Sequence, residues 1–264
     1  MSKEKKTKIG LALGGGAARG LAHITILEVL ENEGIHIDMI AGTSIGSLIG
    51  GIYSTGVPIK YMKGLAKEIK WEYITDVTFP RKGLIKGDKM LSFLEIVTQK
   101  KDFQELTIPF SAIACDIEKG KIIVLNKGSV AKAIRASTSI PGIYVPFRHQ
   151  DMLLVDGAVL DPVPVSTVRK MGADIVIAVD LGVKNIHYPA NSIFEIIYST
   201  FDIIQGELDK HRILEADIIL KPDMSQCDKF DLVGYEKCFQ AGYDAVNKAL
   251  PGIKEIIKER SQNV

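Results

Sequence analysis

Two glycine-rich turns, each following a short apolar run and about thirty residues apart, constrain this chain more than any other feature. The run Lys8–Leu13 ends in Gly14-Gly15-Gly16-Ala17-Ala18-Arg19-Gly20, and the run Ile37–Ala41 ends in Gly42-Thr43-Ser44-Ile45-Gly46. A short apolar run stopped by glycine reads as a buried strand. Beyond the first turn, Leu21, Ile24, Leu27, Val29 and Leu30 recur at near-helical spacing, with Glu28 and Glu31 outside and Gly34 as the stop. Beyond the second, an apolar helix is expected to about Tyr53. Strand, helix, strand and helix joined by short links are the signature of parallel βαβ units. On adjacent parallel strands the two turns would sit side by side at the carboxyl ends of the sheet, where ligands bind.

The rest of the chain continues this pattern. Two mainly helical stretches follow, broken by Pro80 and Gly83 and resumed at Asp88, a candidate N-cap. Phe110–Asp116 and Lys121–Leu125 predict strands joined around Lys119-Gly120 as a hairpin. Ser129–Ala136 predicts a helix ending near Pro141, Met152–Val155 a strand stopping at Asp156-Gly157, and Asp174–Asp180 and Asp217–Leu220 two more strands. No repeat, low-complexity linker or shift in composition marks a boundary. The expectation is α/β: a single three-layer α/β/α domain over residues 8–262 with a mainly parallel central sheet. Residues 1–7, with Lys3, Lys5 and Lys6, read as a Lys-rich N-terminal tail. At 264 residues the chain can bury a sizeable core without disulfides or metals.

Charge and composition exclude several classes. Thirty-three Lys and Arg against 32 Asp and Glu leave a net charge of +1, so the overall balance indicates neither a nucleic-acid nor an anionic-membrane partner. Cys115, Cys227 and Cys238 are scattered, with no metal-ligand spacing, which suits a reducing compartment. The N-terminus has no secretory pattern. Met39–Ile59 carries no charge over nearly the length of a bilayer span, but its glycines, hydroxyls and Pro58 fit a buried strand-turn-helix. The expectation is a soluble cytoplasmic protein.

The first turn leaves backbone N–H groups at a helix N-terminus, which suits a phosphate and equally the oxyanion of a tetrahedral intermediate. A dinucleotide fingerprint fails because Arg19 stands where the third glycine belongs, and no Gly-Lys-Ser/Thr follows to make a P-loop. The second turn has the Gly-x-Ser-x-Gly form of a nucleophile elbow, with Ser44 at its centre. A serine nucleophile needs a base. Of the five histidines, His23 lies on the first helix in a packing position and His149 on a polar turn. His187 and His211 lie downstream but not in a turn just after a strand, and His211 reads as helix surface; neither they nor His36 completes a legible triad. Asp156, in Val155-Asp156-Gly157-Ala158, ends an apolar strand, and its carboxylate could reach the same edge of the sheet.

In their order and separations, Gly-Gly-Gly-x-x-Arg-Gly, Gly-x-Ser-x-Gly and Asp-Gly-Ala resemble the patatin-like phospholipases. The likeness extends to Arg19-Gly20-Leu21-Ala22-His23, to Ala133-Ile134-Arg135-Ala136-Ser137 and to Ser139-Ile140-Pro141-Gly142. It covers roughly residues 8 to 180 strongly, and the remainder only by general α/β pattern. One departure stands in the loop after Asp156, where Asp161 replaces the Asn of many relatives.

The resemblance implies a catalytic Ser44–Asp156 dyad without histidine, an acyl-enzyme intermediate, and an oxyanion hole from the N–H groups of Gly15, Gly16 and Ala17. Gly14, Arg19, Gly20, Gly42, Gly46, Gly157 and Ala158 would support the motifs; Arg19 would either brace its loop or face a lipid phosphate. The scheme needs no metal and no cofactor. The implied substrates are fatty-acyl esters of phospholipids or lysophospholipids, a role compatible with peripheral membrane contact. Two alternatives stay open: an acyl thioesterase or acyltransferase of similar fold, the acyltransferases with this elbow using a histidine partner, and a non-catalytic adaptor. For the latter, the helical stretch Ser192–Ile213 offers Ile193, Ile196, Ile197, Ile204 and Leu208, which are expected to pack into the core.

Overall fold

The computed structural model describes residues 7–79, 81–182, 191–228 and 231–262. The chain begins with β1 (Ile9–Leu13), a 3-10 turn (Ala17–Leu21), α1 (Ala22–Asn32), β2 (Met39–Thr43) and α2 (Ile45–Ser54). A layer of α3 (Ile59–Glu68), α4 (Trp71–Ile74), β3 (Gly83–Ile85) and α5 (Asp88–Val97) follows. Then come β4 (Phe110–Asp116), β5 (Lys121–Leu125), α6 (Val130–Ser137), β6 (Gly142–Tyr144), β7 (Phe147–His149) and β8 (Met152–Asp156). The last part holds α7 (Val165–Lys170), β9 (Ile175–Val179), α8 (Ile193–Arg212), β10 (Ile218–Leu220) and α9 (Tyr235–Gln262).

The main sheet runs β10-β9-β1-β2-β4-β8-β7, with β5 paired to β4. From β10 to β4 every pairing is parallel, whereas β4–β5, β4–β8 and β7–β8 are antiparallel. The expected three layers are present. The parallel strands are apolar on both faces because both are covered. Leu11, Leu13, Ile40, Ile175, Ile177 and Val179 join the core shared with α1, α2, α6 and α9. The alternate positions Ala12, Met39, Ala41, Val176 and Ala178 face α7, a smaller core of smaller side chains.

Met39–Ile59, the uncharged stretch, is β2 followed by α2, and among the described residues no helix is long and apolar enough to cross a membrane. The strand before Ser44 begins at Met39 rather than Ile37 and continues to Thr43, so the elbow follows the ladder directly. The glycine turn does not open straight into an α-helix: one 3-10 turn comes first. Neither β6 nor β7 is anticipated from the sequence, both being three residues long. The expectation that α8 packs its isoleucines inward holds for Ile197, partly buried against the core, and is corrected for Ile193, Ile196 and Ile204, which are exposed; the helix buries Tyr198 and Phe201. Period alone does not choose which face of a helix turns inward; here α8 rests on the turn after Asp156 and on β6. Pro80, His187 and the His211 side chain lie outside the described residues, as does most of the N-terminal tail.

Candidate active site

The two glycine turns end neighbouring strands, with Leu13 and Gly42 in register on β1 and β2. Close approach, not backbone freedom, explains the two glycines around Ser44. A Cβ on Gly42 would stand 2.4 Å from the Gly46 carbonyl oxygen, and one on Gly46 would stand 2.2 Å from that of Leu13. Only hydrogen lets α2 start this close to the ends of both strands.

Between those glycines Ser44 has φ 55° and ψ −125°, a conformation that a side chain rarely adopts and that costs on the order of 1–3 kcal/mol. Its backbone is held from both sides. The Ser44 N–H donates to Ser137 Oγ (3.0 Å), and that hydroxyl donates to the Ile113 carbonyl (2.5 Å). The Ser44 carbonyl accepts from Ser47 Oγ (2.6 Å) and from the N–H groups of Ser47 and Leu48. The Ser44 side chain does not cap α2, so its hydroxyl is not spent on the helix.

Asp156 reaches this edge by a route the sequence does not show. On a parallel strand the carboxyl end would bring it there, but β8 runs antiparallel to β4. Strand β4 outruns β2, whose Thr43 pairs with Ile113, and continues to Asp116. Returning along that extension, β8 sets Asp156 opposite Ala114, one residue beyond the level of Thr43. The Asp156 N–H donates to the Ser139 carbonyl, and the next residue, Gly157, packs so closely that a Cβ would stand 2.3 Å from the Ile113 oxygen.

The Asp156 carboxyl is fully buried; Oδ1 accepts the Ala158 N–H at 2.9 Å, while Oδ2 makes no hydrogen bond with any described residue. Burial pushes its pKa up to about 7, with the nearby Ser44 hydroxyl and the Ala158 N–H holding it below what burial alone would give. Ser44 is thus near enough to stabilise the carboxylate without completing an ordinary hydrogen bond to Oδ2. Such contacts often tighten only around substrate.

The first turn lies directly above. A Cβ on Gly15 would be 3.5 Å from Ser44 Cβ and 3.6 Å from Ala158 Cβ, which puts Gly15 between the two motifs. One expectation is corrected here: the Gly15 N–H is donated to the Pro162 carbonyl (3.1 Å), and the Gly14 N–H to that of Val179 (3.0 Å). Gly16 and Ala17, like Ala18, carry N–H groups that make no hydrogen bond among the described residues, and Ala17 is turned there by a φ of 50°. The buried guanidinium of Arg19 lies 3.6 Å from Asp202 of α8.

None of the described histidines hydrogen-bonds to Ser44 or Asp156. His23 is fully buried with Nε2 on the Gly14 carbonyl (2.9 Å), and burial lowers its pKa to about 4, so it is neutral at physiological pH and steadies the glycine turn. None of the described histidines lines the cavity beside Ser44. Asp161 is buried; its carbonyl accepts from Thr43 Oγ1 (2.8 Å), tying the loop after Asp156 to the end of β2.

Three groups that the sequence does not reveal complete the surroundings. Arg135, buried in α6, donates to the carbonyls of Gly87, Lys86 and Val145 and to Ser139 Oγ (2.5 Å). It thereby fastens the α4–α5 segment to the residue whose carbonyl holds Asp156. Tyr198 of α8 is buried at the cavity wall, and desolvation first, then the charges of Asp202 and Asp156, drive its phenol well above the ordinary range. Gln205 lies over Gly15, its Oε1 being 3.2 Å from where a Cβ would stand. No motif marks Tyr198 or Gln205; Arg135 and Ser139 stood within a matched segment but without an assigned role.

Ser44 opens into a cavity of about 410 Å³ walled by apolar side chains of α1 to α5 and β6, among them Leu48, Ile52, Met62, Leu65, Met90 and Phe93. A volume of that order fits the range of small-molecule sites, and walls of this kind suit a hydrocarbon chain.

A family model described as Patatin-like phospholipase matches residues 11–169, which include all three motifs. An uncharacterized NTE family protein of Mycobacterium tuberculosis is 34% identical over 177 residues, 66% of this chain and 49% of that protein. Lysophospholipase nte1 of Neurospora crassa is 26% identical over 279 residues, 94% of this chain and 18% of that protein. The chain therefore spans about half or less of the length of these curated relatives. Among solved structures, VipD from Legionella pneumophila is similar with a TM-score of 0.64 at 14% identity, covering 94% of this chain and 67% of that one, a likeness of fold. With the matched model spanning more than half of its length, the chain belongs to the patatin-like phospholipase family.

Proposed function

We propose that this chain is a serine acyl hydrolase that cleaves fatty-acyl esters of phospholipids or lysophospholipids through a Ser44–Asp156 dyad. The observation that carries the reading is a strained serine that lines an apolar cavity, beside a buried carboxyl of pKa about 7. With a reference pKa near 3.9 an aspartate is a poor base. Raised to about 7, it is matched to neutral pH and still ionised in about half of the molecules there.

In the proposed cycle the acyl chain fills the cavity and the ester carbonyl lies over Ser44. Ser44 Oγ attacks the carbonyl carbon as Asp156 Oδ2 takes its proton, and the oxyanion is held by the N–H groups of Gly16 and Ala17. The C–O bond to the alcohol breaks, and the alcohol leaves with the proton from Asp156. Water then attacks the acyl-enzyme, gives its proton to Asp156, and frees the fatty acid as that proton returns to Ser44. The relatives named as lysophospholipases support ester-linked lipids as substrates.

A fluorophosphonate probe tests the nucleophile: wild type is expected to label and Ser44→Ala to remain unlabelled. Equal labelling of the two would remove Ser44 from the scheme. Release of fatty acid from a panel of phospholipids, lysophospholipids and acyl-CoA tests the substrate class; release from acyl-CoA alone would favour a thioesterase.

A further inference from the structure

We propose that the outer face of the α3–α5 segment is a docking surface for an anionic lipid bilayer. The inference builds on the reading of the cavity as an acyl site, because the same segment walls that cavity from within. Met62, Leu65, Trp71 and Met90 point into the cavity, while Tyr61, Tyr73, Val77 and Phe79 stand outside, the last two 88% and 78% exposed. Exposed apolar and aromatic side chains clustered in this way mark an interaction surface more often than chance. Trp71, the single tryptophan of the chain, belongs to both sets: it lines the cavity and is 39% exposed.

Charge selects the occupant. From Lys60 to Lys89 there are eight cations and four anions, in a chain whose net charge is only +1. Lys60, Lys67, Lys70, Arg81 and Lys82 are exposed, and none of them forms an ion pair among the described residues. Aromatic side chains flanked by cations are the composition of a membrane-interface surface. Another exposed apolar stripe, on α8, lacks this complement: Ile193 to Arg212 carries four anions and two cations, which an anionic bilayer would repel. A surface seated on lipid through Trp71, Val77 and Phe79 would bring the membrane to the wall of the cavity, so that an acyl chain could enter without crossing water.

Binding is best measured in the catalytically silent Ser44→Ala chain, by cosedimentation and Trp71 emission with vesicles of phosphatidylcholine alone or enriched in phosphatidylglycerol. Partition to the anionic vesicles with a blue-shifted emission is expected. Each cation contributes about fivefold to such partition, so Lys67→Glu with Lys70→Glu should weaken it roughly tenfold or more. Val77→Asp with Phe79→Asp should also weaken it, while hydrolysis of a soluble monomeric ester by the same variant with Ser44 intact stays near wild type. Absent partition, equal partition to neutral vesicles, or variants that bind as tightly as the parent would each overturn the surface. A blue shift that grows with protein concentration without lipid would instead assign the face to a second copy of the chain. Were wild type unlabelled by fluorophosphonate yet bound to anionic vesicles, the hydrolase reading would fall and the surface would stand.

Discussion

The sheet edge and the segment that caps it are built by opposite rules. At the edge, backbone contacts hold almost everything: Ser44 is fixed at both its N–H and its carbonyl, Asp156 by Ser139 and Ala158, and the loop beyond it by Thr43. Glycines there are demanded by lack of space, since an added Cβ would stand 2.2 to 2.4 Å from backbone oxygens. The α3–α5 segment instead buries one apolar side around the cavity and leaves large side chains such as Phe79 and Ile96 in solvent. Its polar anchor is Arg135, reaching across from α6 to the Lys86 and Gly87 carbonyls. A site of this kind needs an edge that does not move, and tolerates a cap that does.

The largest effect should come from the edge. Ser44→Ala is expected to lower turnover by at least ~10⁴-fold while leaving thermal unfolding little changed, measured by fatty-acid release and calorimetry. A variant within tenfold of wild type would break the contrast at its root. Next, Arg135→Ala should destabilise the fold by about 2–4 kcal/mol in denaturant titration, because it strands three carbonyls and a hydroxyl in a buried place. Loss confined to within 0.5 kcal/mol would mean that the cap does not depend on that anchor.

How much of this could be read from the residues divides along the same line. The edge was legible because its chemistry is local in sequence: a glycine turn, a Gly-x-Ser-x-Gly and an Asp-Gly-Ala each carry their geometry within a few residues. The route by which Asp156 arrives was not, since whether β8 runs with or against β4 depends on β6 and β7, too short to show a period. The donors of the first turn were assigned too broadly because the partner of Gly15 is Pro162, nearly 150 residues away. On α8, the helical period was clear but its buried side was not, and Tyr198 and Gln205 come to the site from there.

A smaller effect sharpens the account of Asp156. Its folded pKa of about 7 lies above the unfolded value of 3.8, so the folded state binds more protons between those limits and this group's contribution to stability falls as pH rises through that window. Above pH 7 the fold carries a buried carboxylate that Asp156→Asn lacks. Between pH 5 and 8 wild type should therefore lose on the order of 2–3 kcal/mol relative to Asp156→Asn, read from denaturant midpoints at each pH. Parallel pH profiles for the two would show a carboxyl that is not perturbed. Least of all, Ile96→Ser on the exposed side of α5 should change stability by no more than about 0.5 kcal/mol; a loss of 2 kcal/mol or more would show that the cap is packed as tightly as the edge.

The pairing of Ser44 with Asp156 is tested most directly by the rate of fluorophosphonate labelling as a function of pH. If Asp156 is the base, wild type should label faster as pH rises, with a midpoint near 7, and Asp156→Asn should label at least ~10²-fold more slowly with no such midpoint. A wild-type midpoint below pH 5, or an Asp156→Asn chain that labels at the wild-type rate, would contradict it.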